Sequence, residues 1–349
     1  MTPRPLITST PDPTLTPFPL PYCLNVHDAS TWAAVQHALD THALAVKALV
    51  APDQPFPLSL HLGQRALREA TAAIPRLREW LTQHDCFIVA LNAFPYGPFQ
   101  GVDVKKEVYR PNWSDPARAD YTQAAASFLA RVVHEGMNAT VTTVPGGWTR
   151  DWNSPADDSA ALSNLRQAAR FCRRLQDDTG RRIQIAIEPE PGCVWTLFDP
   201  RITDLGPEIC WCLDTCHAAV EFQSMDGLDW TQIGRVQLSA AIEFDNTPAA
   251  RDALAPFDES AYLHQTRAAL HGEILGAWED LGPALHDLPA LPREATVRTH
   301  VHVPLTWAGT GPLRSTRGHL TPAFFEKARQ TFCEVETYTY AILPPPLPP

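Results

Sequence analysis

The sequence predicts a (β/α)8 TIM barrel in a single domain, and three observations carry that reading. Short apolar runs alternate with longer amphipathic stretches along most of the chain, the pattern of a parallel sheet covered by helices. Polar and ionisable residues recur at the C-terminal ends of those runs, the end at which barrels gather their chemistry. No long low-complexity linker divides the body, and 349 residues suffice for one large core.

Taken in order, the first strand falls at 21–27, followed by a helix from Ser30, a good N-cap, to about 49. The second strand is 58–62 and its helix 64–83; the third strand, 87–92, runs into the loop FPYGPFQGVDVKKEVYRPNW. Ser-Asp-Pro at 114–116 supplies a cap and an early proline for the next helix. The fourth strand is 140–144, and its helix stops at Gly180. IQIAIEPEPG, CWCLDTCH and VQLSA are the fifth, sixth and seventh strands. YLHQTRAALHGEILGAWEDL reads as a β-hairpin inserted after the seventh strand and laid over one end of the barrel. THVHVPL and FCEVETYTY make nine extended runs for eight staves, so THVHVPL is expected to be a loop strand near the mouth. The barrel domain spans 19–344. Residues 1–18, rich in Pro and Thr, read as a flexible arm, and 345–349 as a proline-rich tail.

Charge narrows the function. Asp and Glu number 39 against 28 Lys and Arg, a formal net charge of −11. Such a surface opposes nucleic acid and anionic membranes and suits a small polar metabolite or a metal cation. No apolar run of about 18 residues is present, so no membrane insertion is expected. With no secretory leader legible at the start, the expected location is cytoplasmic and the eight cysteines are expected to be thiols. Cys210, Cys212 and Cys216 beside His217 do not match the paired hooks of structural zinc. Cys210 and Cys212 read as small core residues.

The candidate site residues sit at strand ends: Asn25 and His27, Asn92, Glu188 and Glu190, Asp214 and His217, Gln237, His300 and His302, Glu334 and Glu336. Period two along a strand puts each close pair on a common face. Several carboxylates in one mouth repel one another, and a divalent cation removes that penalty. Carboxylate, amide and imidazole donors suit Mn²⁺, Mg²⁺ or Zn²⁺. His300 and His302 form a ready chelate. His61 reads as a hydrogen-bonded core histidine.

The runs YCLNVH, LNAFPYGPF, KKEVYRPNW, EPEPG, CLDTCHAAVEF, VQLSAA, YLHQTR, HVHVPL and EVETYTYAILP resemble the successive motifs of the metabolite traffic protein EboE family. The match runs from about Tyr22 to Pro344. The resemblance implies a xylose-isomerase-like barrel and a gene-cluster setting in which a metabolite is exported, with other products of that cluster as partners. Sugar isomerases and epimerases of that superfamily hold one metal on successive late strands. By that resemblance Glu188, Asp214, Gln237 and Glu336 (or Glu334 in the other strand register), with His302, are the metal ligands here. Glu188, Glu336 and His217 are the catalytic residues, the two glutamates moving a proton next to a carbonyl. Asn25, His27, Asn92, Glu190, His300, Glu334 and Arg267 are the substrate-binding set, and Arg267 equally suits an ordinary salt bridge. Gln100 departs from the family, where histidine is expected.

Two other classes stay open. A metal-dependent phosphodiesterase of the endonuclease IV type would need two or three metals and a phosphate-binding surface, for which Lys105, Lys106 and Arg110 are the candidates. A non-catalytic metabolite carrier would need only the cavity. The charge balance predicts no binding to duplex DNA at physiological salt, because few cations are available to release condensed counterions. A gel-shift titration at micromolar protein checks this; a salt-sensitive shift would promote the phosphodiesterase.

Overall fold

The computed structural model describes residues 20–339; the arm at 1–18 and the tail at 345–349 lie outside them. Eight strands form one parallel sheet: β1 (Tyr22–Cys23), β2 (Phe56–His61), β3 (Cys86–Asn92), β4 (Asn138–Thr143), β5 (Arg182–Ile187), β6 (Ile209–Asp214), β7 (Ile233–Leu238) and the eighth stave, Phe332–Val335. They follow one another in chain order around the sheet, and the eighth stave lies beside β1, so the sheet curls into a (β/α)8 barrel.

The outer helices follow the amphipathic pattern. Trp32–Ala38 (α1) and Leu44–Val50 (α2) are joined through a π turn. The N-cap is Thr31 rather than Ser30, since its side chain accepts the Ala34 N–H. Helix α3 (Gln64–Gln83) buries Leu67, Ile74, Leu77 and Leu81, one face at helical spacing. Asp115 caps α4 (Pro116–Val132) with proline at its first turn. Helix α5 (Pro155–Thr179) opens on a Ser154–Asp157 capping box and ends at Gly180, whose φ of 68° suits glycine. After β5 and β6 the helices shrink to α6 (Pro200–Thr203) and α7 (Thr215–Val220). No described helix is long and apolar enough to cross a membrane.

The insertion after the seventh strand is larger than a hairpin. Extended chain breaks at Ser239 and resumes as β8 (Ala240–Asp245), then α8 (Pro248–Leu254). The expected hairpin follows as β9 (Thr266–Leu270) and β10 (Glu273–Trp278), turning on His271 and Gly272, both at positive φ. After α9 (Leu281–Asp287) comes β11 (Thr296–Val303), which is a loop strand and not a stave. With β12 (Gly309–Thr310) and β13 (Leu313–Ser315) these make a second, six-stranded sheet of antiparallel pairs in the order β10-β9-β11-β8-β13-β12. Its own apolar core includes Ile242, Phe244, Leu254, Val297 and Trp307. The chain returns through α10 (Pro322–Ala328) to β14, the eighth stave (Phe332–Val335).

One bulge in this sheet sets the site. Against β8, β11 advances from Thr299 to Val303 while its partner moves only from Ile242 to Ala240. Four steps face two, so two extra residues loop out, and His300 and His302 lie in that stretch. A bulge of this kind frees side chains from the ladder and re-aims them.

The second sheet is tied together at Glu243. Arg298 donates to it at 2.9 Å and also to Ala219 O of α7 at 2.8 Å, while its guanidinium stacks 4.1 Å from the Phe222 ring. Burial pushes the Glu243 carboxyl up, but His319 and Arg298 outweigh it and hold it at about 2. A folded value below the unfolded one of about 4.3 gives stability that is complete above pH ~4.3 and lost as pH falls through the folded value. Replacing Glu243 with Gln should therefore lower stability at pH 7 by about 1–3 kcal/mol, with the gap to wild type closing under acid. Urea unfolding at pH 7 and near pH 2 checks it; a pH-independent gap would show that charge is not the cause.

Candidate metal centre

The barrel closes around polar side chains. Arg235 on β7 points into the interior, where its guanidinium pairs with Glu334 of β14 and donates to Ser59 Oγ at 2.8 Å and Thr142 Oγ1 at 3.1 Å. Both partners are essentially inaccessible, Arg235 at 1% and Glu334 at 2% exposure. Glu334 was expected to bind substrate. Its carboxylate is instead engaged by Arg235 and is not part of the cavity wall.

Above this pair, three carboxylates meet. Glu188 follows β5, Asp214 ends β6 and Glu336 follows β14, and their oxygens lie within 4.8 Å of one another. Asp214 spends Oδ1 on the N–H groups of Cys216 and His217, at 2.7 and 2.8 Å, capping α7. Its Oδ2, Glu188 Oε2 and Glu336 Oε2 are buried without a partner. Gln237 is fully buried beside them: its Oε1 accepts from the Cys212 thiol at 3.1 Å, and its Nε2 has no partner. Burial pushes Glu188, Asp214 and Glu336 above the usual carboxylate range, the neighbouring carboxylates add to it for the two glutamates, and Arg235 opposes them. Orphaned oxygens from three acids in one dry nest fit a divalent cation, with Gln237 able to offer Oε1 once its amide is turned over. A bound ion would hold these groups deprotonated.

A second set of donors adjoins the first. His217 of α7 and His300 and His302 of β11 converge, with Nε2–Nε2 separations of 3.0 Å for His217–His300 and 2.8 Å for His300–His302. Asp214 Oδ2 is 3.9 Å from His302 Nδ1, and Glu190 Oε1 is 3.8 Å from His300 Nδ1. Burial lowers His217 to about 3 and His302 to about 4, in the latter case against the pull of Asp214.

A cavity of about 520 Å³, counting the space up to its open mouth, is lined by Asn25, His61, Asn92, Lys105, Tyr109, Glu188, Glu190, His217, Tyr262, Glu336 and Tyr338, among others. Both amide atoms of Asn25 and Nδ1 of His61 are buried without partners there. Asn92 Oδ1 accepts the Phe94 N–H at 3.0 Å. Glu190 accepts from Tyr109 OH at 2.6 Å and Gln265 Nε2 at 3.1 Å, yet burial outweighs both and lifts it to about 7. Phe99, Tyr262 and Tyr338 pack at centroid distances of 5.1–5.2 Å across the mouth, Tyr338 edge-on to the other two and those two tilted.

Two expected binding residues lie elsewhere. His27 receives the Tyr22 hydroxyl at 2.8 Å and stacks on His42 at 4.3 Å. The chain leaves extended geometry after Cys23 for a 3-10 turn, so strand alternation does not carry His27 to the mouth. Arg267 is held by Glu221 at 2.6 Å and by the carbonyls of Thr266 and Trp278, as a salt bridge of the hairpin. Lys105 does reach the cavity wall, but its ammonium is taken by Asp280 at 2.7 Å; Arg110 pairs with Asp151 on the surface. Gln100 donates to Asn25 O and accepts from Tyr262 OH, bridging barrel and insertion. Residues that sequence reading passed over are Tyr109, Gln265 and Tyr338, while His61 lines the cavity rather than the packed core. Their signal was position in loops of no regular period.

No known protein-family pattern matches the chain, and no curated protein does. Solved structures similar to it share little sequence with it. A xylose isomerase domain protein from Planctomyces limnophilus shares 12% identity over 57% of this chain and 68% of its own, with a TM-score of 0.40. The IOLI protein with a bound zinc atom shares 13% over 64% and 73%, with a TM-score of 0.42. The 3-keto-D-glucoside 4-epimerase of E. coli shares 14% over 71% and 93%, with a TM-score of 0.35.

The three-carboxylate nest predicts a bound divalent ion. Protein purified without chelator should carry metal on elemental analysis, and the double substitution Glu188→Gln with Glu336→Gln should remove the ion from that nest. Metal content unchanged in that variant would show that the ligands are others.

Proposed function

We propose that this chain is a metal-dependent isomerase or epimerase acting on a small polyhydroxy carbonyl metabolite, such as a sugar or sugar phosphate. The observation that carries the reading is the nest of Glu188, Asp214 and Glu336, each with an unpartnered buried oxygen, beside a cavity whose wall offers uncommitted polar groups. Asp214 and Gln237, which are not part of the cavity wall, would hold the ion together with Glu188 and Glu336. Glu188 and Glu336 line the cavity as well. A divalent ion in this nest would supply Lewis-acid polarisation of a substrate carbonyl.

The chain's own groups supply the rest. Glu188 and Glu336 reach the cavity from staves five and eight, so a substrate in it meets both carboxylates. One removes a proton from the carbon next to the carbonyl and the other returns one. Asn25 and His61, whose side chains carry unpartnered buried atoms, are placed to take substrate hydroxyls, while His217, on the same wall, gives its Nδ1 hydrogen to the Pro189 carbonyl and keeps Nε2 as an acceptor or ligand. Glu190, at about 7, can hold or release a proton near neutrality. Phe99, Tyr262 and Tyr338 shield the site from water and present ring faces of the kind on which a sugar packs. The motif resemblance to the EboE family adds a finer proposal: a cytoplasmic step in a pathway that moves a metabolite out of the cell, alongside other products of one gene cluster.

The test is proton exchange. A panel of ketoses, cyclitol ketones and hydroxy-keto acids in D₂O with Mn²⁺, Mg²⁺ or Zn²⁺ should include one that loses its alpha-proton signal. Glu336→Gln should slow that exchange by about 10²–10⁴-fold, with metal occupancy measured in the same variant. A compound that binds in the mouth by thermal shift yet never exchanges a proton would replace the isomerase with a carrier.

A further inference from the structure

The tautomers of two of the three clustered histidines, His217 and His300, are fixed by their outer partners. His217 Nδ1 lies 3.0 Å from Pro189 O; a carbonyl only accepts, so this nitrogen carries the hydrogen. Gln265 Nε2 faces the Pro191 carbonyl and the Glu190 carboxylate, both at 3.1 Å and both acceptors, which fixes the orientation of its amide. Its Oε1 therefore faces His300 Nδ1, and that nitrogen also carries the hydrogen. In their neutral forms His217 and His300 thus present two Nε2 lone pairs to each other at 3.0 Å with no hydrogen between them. His302 Nε2 closes on the same nitrogen at 2.8 Å, while its Nδ1 meets Ser239 Oγ at 2.9 Å. A proton shared between two of the rings leaves the third unserved. A cation among the three nitrogens resolves every contact at once.

We propose that His217, His300 and His302, with Asp214 at its edge, form a second cation site selective for a borderline-soft divalent ion such as Zn²⁺ or Co²⁺. Three features on different elements converge on it. His217 and His300 are oriented through their distal N–H groups by a carbonyl and an amide oxygen, the outer arrangement that metal-bound histidines use, and His302 is held at Nδ1 by the Ser239 hydroxyl. The bulge in β11 aims His300 and His302 at the barrel. All three rings are 5% exposed or less, and His300 and His302 are not part of the cavity wall. Imidazole donors favour Zn²⁺ over Mg²⁺ and Mn²⁺, which suit the neighbouring carboxylates. Because His217 belongs to the barrel and the other two to the second sheet, this ion staples the insertion onto the barrel mouth. The site stands independently of the reaction proposed above.

Metal-free full-length protein titrated with Co²⁺ tests it, read by bound stoichiometry, by paramagnetically shifted histidine ring resonances and by melting temperature. Two ions per chain, shifted histidine signals and a rise in melting temperature are expected. His300→Gln with His302→Gln should lose one ion and the shifted signals; Glu188→Gln with Glu336→Gln should lose the other ion and keep those signals. If the histidine double variant does not fold, His217→Gln and the wild-type spectrum decide by the same signals. One ion per chain lost in both double variants means a single shared ion and overturns the proposal, as do histidine signals that Co²⁺ leaves unshifted. Loss only in the glutamate variant removes the second ion and leaves the proposed reaction intact. Loss only in the histidine variant keeps the staple and sinks the carboxylate-bound ion. No Co²⁺ bound at all sinks both.

Discussion

Charge balance inside the barrel mouth is the constraint on which the rest of the structure depends. Glu188, Asp214, Glu334 and Glu336 are each less than 5% exposed, and Arg235 is the buried cation that pairs among them. Four negative charges against one positive leave three uncompensated in the fully ionised state. Carboxylates out of water at this spacing must take protons, take cations or pull apart. Arg235 settles Glu334 and anchors the floor through Ser59 and Thr142, which fixes where the remaining three stand. A divalent ion reduces their excess to one charge, which a polar substrate in the adjoining cavity can help to screen.

The insertion is best understood through the same constraint. A minimal barrel would pass from β7 through one helix to its last stave. Here the break at Ser239 sends the chain into a second sheet, and Ser239 itself stays in contact with His302 and, through its backbone, with Thr215 at the start of α7. The insertion thereby delivers neutral nitrogen donors to the flank of an acidic nest, where further carboxylates would have deepened the repulsion. Asp214 stands between the two sets, since its Oδ2 is the oxygen free to serve either.

Much of this was legible in the sequence, for identifiable reasons. A run such as FIVAL is apolar throughout, because parallel staves are buried on both faces, and helices with one apolar stripe were placed to within a few residues. The pairing of His300 with His302 follows from period two. The errors have physical causes too. A two-residue stave at Tyr22–Cys23 gives way to a 3-10 turn, so the expected alternation to His27 failed. Strand β8 continues β7 with a one-residue break, and nothing in VQLSAAIEFD marks where one sheet ends and another begins. Arg267 suited a substrate or a salt bridge alike, and its type could not name its partner Glu221, 46 residues away in sequence. Gln265, two residues before it, was passed over because an amide in a hairpin has no signature of its own.

That amide illustrates how the two halves of the molecule specify one another. Gln265 belongs to the insertion, Tyr109 to the loop after β3, and Glu190 and Pro191 to the loop after β5, yet a single Nε2, with two hydrogens to give, lies within 3.1 Å of an oxygen from each of the three. Only with those acceptors in place does its oxygen face His300 and set that ring's tautomer. On the other side of the mouth Gln100 does similar work, joining the Asn25 carbonyl to the Tyr262 hydroxyl. Donor geometry at the histidines therefore depends on loops of the barrel, and closure of the cavity depends on the insertion. Neither half alone places the polar groups to the tolerance that proton transfer or metal ligation requires, so docking of the second sheet and completion of the site are one event.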